Sequence, residues 1–231
     1  MSIKSALESI LAEVESHSEG RAVKIVAVSK RQSVQAMKGY QDIASAKGIQ
    51  VVFGENYVQE LAQKKEFFGD EIEWHLTGPL QSNKVPEAVR LADVIESVHS
   101  TKIIECIARS ADKLKKKQKI FLQINIGNDP DKRGFSVSEI RDAISLCHQF
   151  SDALILCGLM TITPLYDDES RIVDDYTKMR ELREALRNEG VAELFEAATI
   201  HLSMGMSADY HLALAAGADV IRIGTLLFGA R

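Results

Sequence analysis

The chain has 231 residues, 45% of them hydrophobic and 26% charged, with a formal net charge of −5. That balance is ordinary for a globular protein with a substantial core, and it argues against a nucleic-acid binder, which would carry a basic stripe. Three cysteines without a C-x-x-C pair and six dispersed histidines give neither a disulfide framework nor metal-ligand spacing.

The N-terminal 2–19 stretch carries four glutamates among its apolar residues, unlike a signal peptide, and the longest apolar run, 153–160, is too short to span a bilayer. A cytoplasmic protein is expected, without membrane or nucleic-acid partners. Ile3, Leu7, Ile10, Leu11 and Val14 mark one face of an amphipathic first helix, ended by Ser18-Glu19-Gly20. Residues 24–29 (KIVAVS) read as a strand buried on both faces, and helical spacing follows over 33–47. A second strand is expected at 50–53, with Gly54-Glu55-Asn56 leading into a helix to Phe68. Strand 72–76 ends in the Thr77-Gly78-Pro79 turn, before a short helix from Ser82. Strand 93–98 precedes a helix over 101–117, whose lysine-rich end at 113–119 reads as a solvated face. Strand 119–126, the turn-rich loop 127–134 and a helix over 137–150 come next. Strand 153–161, a loop around Pro164 and the longest helix, 169–188, complete this part.

Residues 197–224 read as strand, glycine-bearing loop, helix and strand. The strand is 198–202, the break 203–207, and the helix 208–216, with Ser207 as N-cap and Gly217 as stop; the last strand is 219–223. Strands and helices thus alternate eight times, which predicts an α/β fold with a parallel sheet. A single (β/α)8 TIM-type barrel over 1–231 fits the length, with the N-terminal helix in the place of the helix missing after strand eight. The open doubly wound alternative lacks its G-x-G-x-x-G turn after strand one.

In such a barrel the chemistry sits at the carboxyl ends of the strands. The Ser-Met-Gly-Met-Ser loop at 203–207, together with Gly224 and Thr225, offers helix-terminal and close backbone groups suited to a phosphate. Lys30 continues the inward parity of Val26 and Val28. A lysine there is either partly desolvated and a Schiff-base nucleophile, or it snorkels into water. Arg222 lies in an apolar strand, where it needs either a buried carboxylate or a ligand atom that accepts hydrogen bonds. A lysine for an aldehyde, a phosphate cradle and an arginine for a ring nitrogen together suggest pyridoxal 5′-phosphate.

Specific stretches extend this reading: AVSK at 27–30, FGENYVQE at 53–60, WH at 74–75, GPLQSNK at 78–84, SVH at 97–99, QINIG at 123–127, GLMT at 158–161, LSMGMSAD at 202–209 and IRIGT at 221–225. In these the sequence resembles the pyridoxal-phosphate homeostasis protein family, barrel proteins related to the N-terminal domain of alanine racemase. The resemblance implies a fold-type III barrel without the C-terminal β domain. It makes Lys30 the lysine that forms the internal aldimine and Arg222 the partner of the pyridine nitrogen. Ser203, Met206, Ser207, Gly224 and Thr225 would form the phosphate cradle, and Asn56 and His75 would line the pocket. The chain departs from the family's usual pattern at Arg31-Gln32-Ser33, where Thr-Lys-Pro is common, and at Arg133, where a small residue is usual.

Arginine, with a pKa above about 12, does not hand a proton to the ring nitrogen, so the ring is a weak electron sink. No second domain is expected to supply an acid/base partner opposite Lys30. The expected function is therefore a non-catalytic carrier that holds the cofactor, takes part in intracellular vitamin B6 balance and passes it to pyridoxal-phosphate-dependent apoenzymes as a monomer. A weak amino-acid racemase and a phosphosugar barrel with a Schiff-base lysine are the alternatives. Glu55 and His99 stay outside the site, the first as an ion-pair partner and the second as a loop-orienting group.

Overall fold

The computed structural model describes residues 2–18 and 20–229, so Glu19 of the expected helix stop lies outside the described residues. The element order is α1 (Ile3–His17), β1 (Lys24–Val28), α2 (Val34–Ala46), β2 (Val52–Glu55), α3 (Val58–Lys65), β3 (Glu73–Leu76), α4 (Val85–Leu91) and β4 (Val94–Val98). It continues with α5 (Thr101–Lys113), β5 (Gln118–Ile124), α6 (Ile140–Gln149), β6 (Leu154–Thr161), α7 (Glu169–Asn188), β7 (His201–Met206), α8 (Tyr210–Ala215), β8 (Val220–Ile223) and α9 (Thr225–Phe228). The eight strands are parallel neighbours in sequence order, and β8 closes onto β1 through Lys24↔Val220 and Val26↔Arg222. Among the described residues no helix is long and apolar enough to cross a membrane.

Two apolar layers hold the barrel. The outer one packs helix faces on the sheet; in α5, Ile103, Ile104, Ile107, Ala108 and Ala111 recur at helical spacing and are buried. Each such isoleucine contributes about 2 kcal/mol by leaving water. The inner layer is small: Val26, Val52, Val94, Phe121, Cys157, Met160 and Val220 meet inside the barrel. Local signals fix several helix starts: Ser33 accepts from Ala36 N–H at α2, and Asp168 from Ser170 N–H at α7. A short helix, α9, does follow β8, contrary to the expectation that none would, and α1 packs against it and against α2 and α8.

Three further expectations are corrected. Gly54 and Glu55 belong to β2 rather than to the turn after it, because pairing with β3 continues through Gly54↔His75 and Glu55↔Leu76. β7 begins at His201 and runs through Met206, since Ala197 and Ala198 take positive φ, and Gly205 (φ +93°) makes a bulge instead of a strand stop. The next helix starts at Tyr210 with Asp209 at its N-cap position, so Ser207 is not its cap.

Candidate functional site

Lys30 stands two residues past β1, half-buried, in the turn at the carboxyl end of that strand. Its turn is held from behind. Ser29 Oγ donates to Glu55 Oε1 at 2.7 Å, and Lys64 of α3 donates to Ser29 O at 2.5 Å and to Glu55 and Glu60 at 2.7 Å each. Arg31, at φ 60°, gives its N–H to Glu60. Burial drives the Glu55 carboxyl upward, while Lys64 and Ser29 oppose that shift. Glu55 is thus held in the ion pair expected from its position.

Across the β1–β8 contact lie the other turns. Gly224 follows β8, where a Cβ would come within 3.2 Å of Val28 O, and exposed Thr225 opens α9. Ser207 Oγ accepts from Gly224 N–H at 3.1 Å and from Leu226 N–H at 3.3 Å. It therefore ties the turn after β7 to the turn after β8, and its single O–H is the donor it can offer an anion. Met206 gives its N–H to Asp209 Oδ1 at 2.6 Å, and buried Asp209 also receives Thr163 Oγ1 at 3.5 Å. Beneath them, burial and Asp209 push the Tyr176 hydroxyl far above its ordinary value. At Gly205 an added Cβ would sit 2.6 Å from Ala213 Cβ, so the bulge and its contact with α8 both require glycine.

Arg222 is 4% exposed. Its Nη1 donates to Ser203 Oγ and its Nη2 to Thr161 O, both at 2.6 Å, with Glu96 Oε2 3.8 Å from Nη1. Ser203 in turn donates to Glu96 Oε2 at 2.5 Å. The predicted cradle serine therefore faces the barrel interior, committed to Arg222 and Glu96. His75 is also deeper than a mouth residue, 1% exposed, with Nδ1 2.5 Å from Glu96 and Nε2 2.7 Å from Glu73. It borders a cavity of about 470 Å³ at the amino end of the strands, whose wall includes Lys24, Glu73 and Lys119. Burial lowers the His75 pKa, but the two carboxylates outweigh it and hold the ring above its ordinary value. Burial likewise works against the Glu73 charge, yet His75 and Lys24 bring that carboxyl down to about 2.

Asn56 follows β2, half-buried, its Oδ1 accepting from Thr77 Oγ1 at 3.2 Å. Gly78 packs on its backbone so closely that a Cβ would lie 2.3 Å from Asn56 O. At the same end, His99 Nδ1 lies 3.0 Å from Ser97 O, and burial lowers its pKa, with Arg133 adding to the effect. Lys132 reaches from the loop after β5 to Thr163 O at 3.1 Å. The structure thus gathers Lys30, Asn56, Met206, Ser207, Gly224 and Thr225 at one end of the barrel, with Arg222 beneath them. Ser203 and His75 stand further inside. Sequence reasoning missed Lys64, Glu73, Glu96 and Asp209; the polar residues inside the apolar strands EWHL and VIESV were the available signal.

The family model for the N-terminal domain of alanine racemase matches residues 4–231. The pyridoxal phosphate homeostasis protein of Schizosaccharomyces pombe is 33% identical over 237 residues, covering 99% of this chain and 93% of its own. The protein of the same name from Pasteurella multocida is 36% identical, with 91% and 87% covered. The chain belongs to the pyridoxal phosphate homeostasis protein family. Among solved structures, PipY of Synechococcus elongatus with pyridoxal phosphate bound is similar at TM-score 0.84 and 33% identity, over 98% of this chain and all of that one. The closed eight-stranded barrel is therefore the family's fold as well as this chain's own.

Proposed function

We propose that this chain binds pyridoxal 5′-phosphate at the carboxyl end of its barrel and takes part in intracellular pyridoxal phosphate homeostasis. The observation that carries the reading is the buried Arg222 guanidinium beneath a mouth that also presents Lys30. The donor set there, an amine, a guanidinium, two hydroxyls and two turns clasped by Ser207, fits an anionic, aldehyde-bearing aromatic group. When bound, the cofactor supplies an aldehyde carbon for a lysine amine and a ring that accepts negative charge.

In this reading the Lys30 amine would condense with the aldehyde and release water, and Arg222 would donate to the ring nitrogen. Ser207 and Thr225 give hydroxyls to the phosphate, Gly224 lets the backbone approach it, and Met206 sets the turn. Asn56 would border the ring, while Ser203 and His75 would act from beneath through Arg222. A guanidinium that keeps its proton leaves the ring a weak electron sink, and racemases with this arrangement add an acid/base residue opposite the lysine; the carrier reading rests on the lack of an expected one here. Tyr166, one possible acid/base, spends its hydroxyl on Asp175 at 2.8 Å. The single barrel, placed in the cytoplasm, would then hand the cofactor to apoenzymes that depend on it.

The test is the absorbance spectrum of the purified chain after incubation with pyridoxal phosphate and removal of the excess. A retained long-wavelength band in the wild type that is absent in Lys30→Ala supports the reading. A wild type that returns colourless, with Lys30→Ala the same, overturns it.

A further inference from the structure

Five side chains form a continuous polar column across an otherwise apolar barrel interior: Glu73 and His75 of β3, Glu96 of β4, Ser203 of β7 and Arg222 of β8. Burying charge is costly unless each charge meets its opposite. Here the signs alternate from the amino-end cavity upward, because Lys24 Nζ lies 2.7 Å from Glu73, which holds His75, which holds Glu96, which lies 3.8 Å from Arg222. Both partners of His75 are carboxyl groups, and an ionised carboxylate only accepts, so the arrangement favours a ring protonated on both nitrogens. Glu96 is the shared member: one oxygen is on His75, the other on Ser203 and facing Arg222. Arg222 does not form the usual bidentate fork with that carboxylate. It spreads its two terminal nitrogens to Ser203 and to Thr161 O, a geometry that fixes the plane of the guanidinium as well as its position.

We propose that Glu96, locked by a doubly hydrogen-bonded His75, is a positioning residue that orients the Arg222 guanidinium through Ser203 toward the ligand at the mouth. This rests on the reading of Arg222 as the ring-nitrogen partner. The other titratable groups facing the lower column are Lys24 of β1, Lys119 of β5, Cys157 of β6, His201 of β7 and Asp219 before β8, with Glu196 paired to Lys119 at 2.9 Å and Asp219 to Arg183 at 3.1 Å. None of them comes between His75 and Glu96.

Two readouts separate this inference from the function it rests on. In cofactor-free wild type labelled with 15N-histidine, His75 is expected to give an imidazolium signal near neutral pH and to titrate above the ordinary histidine value of ~6.5. A neutral ring, or one that titrates near that value, overturns the column without reference to any ligand. In cofactor-loaded protein, Glu96→Gln and Ser203→Ala are expected to release pyridoxal phosphate at least tenfold faster and to shift its absorbance maximum, while Lys30 still takes it up. Wild-type release rates and spectra in both variants overturn the inference. Ser203→Ala keeps every charge in place and so reports even where Glu96→Gln fails to fold. A wild type that takes up no cofactor refutes the proposed function, and the imidazole spectrum still judges the column.

Discussion

Replacing Lys64 by methionine keeps most of the side chain's volume and removes the charge behind the Lys30 turn. Lys64 is 8% exposed and gives hydrogen bonds to Ser29 O, Glu55 and Glu60. Glu55 is fully buried and its Oε2 has no partner among the described residues, so the variant leaves a nearly naked carboxylate inside the fold. Breaking a buried pair from one side costs about 3–5 kcal/mol. At about 2–4 °C per kcal/mol for a chain of this size, the melting temperature should fall by roughly 6–20 °C. The cost should also depend on pH. Burial already raises the Glu55 pKa, and losing Lys64 raises it further. A carboxyl whose folded pKa lies above its unfolded value of ~4.3 loses stability as pH rises from that value through the folded one. Urea denaturation near pH 5 and near pH 8 should therefore show a penalty that is larger at the higher pH, and Lys64→Met with Glu55→Gln should recover most of it. An equal penalty at both pH values, or no recovery in the double variant, would refute the reasoning.

Other expectations follow from single positions. Gly39 lies inside α2 with nothing within 4 Å of an added Cβ, so Gly39→Ala should stabilise the chain by about 1 kcal/mol in chemical denaturation. Gly205→Ala meets both a positive φ and a 2.6 Å contact with Ala213, and should lose at least about 2 kcal/mol together with cofactor retention. Glu73 is drawn from its usual 4.5 to about 2 in the folded chain, so its contribution of about 3 kcal/mol is present above the unfolded pKa and disappears as pH falls toward 2. Glu73→Gln should flatten that acid limb of the stability profile; an unchanged limb would show that Glu73 does not set it.

The barrel was legible because its strands are short apolar runs between helical patterns, and 24–29, 93–98 and 153–161 fall within a residue of β1, β4 and β6. The misses have local causes. A glycine can end a strand or bend it, and only the fold shows that Gly54 continues β2 and that Gly205 bulges β7. Ser207 carries an N-cap residue type, but its hydroxyl serves α9 across the barrel end rather than the helix that follows it. The placement of Lys30, Arg222, Gly224 and Thr225 at the carboxyl end of the barrel was readable from strand parity and strand ends. His75 and Ser203 were chosen by type and motif, which do not reveal depth along the barrel axis. The column through Glu96 joins residues 75, 96, 203 and 222, brought together only when β3, β4, β7 and β8 close around one axis.

The most direct test of the central claim is borohydride reduction of the chain loaded with pyridoxal phosphate, followed by peptide mapping. Reduction converts a lysine–cofactor linkage into a stable amine at the lysine that holds it. The account predicts one dominant pyridoxyl-labelled peptide, carrying the group on Lys30, and no label there in Lys30→Ala. A dominant label on another lysine, such as Lys84 or Lys132, or no label in the wild type, would contradict it.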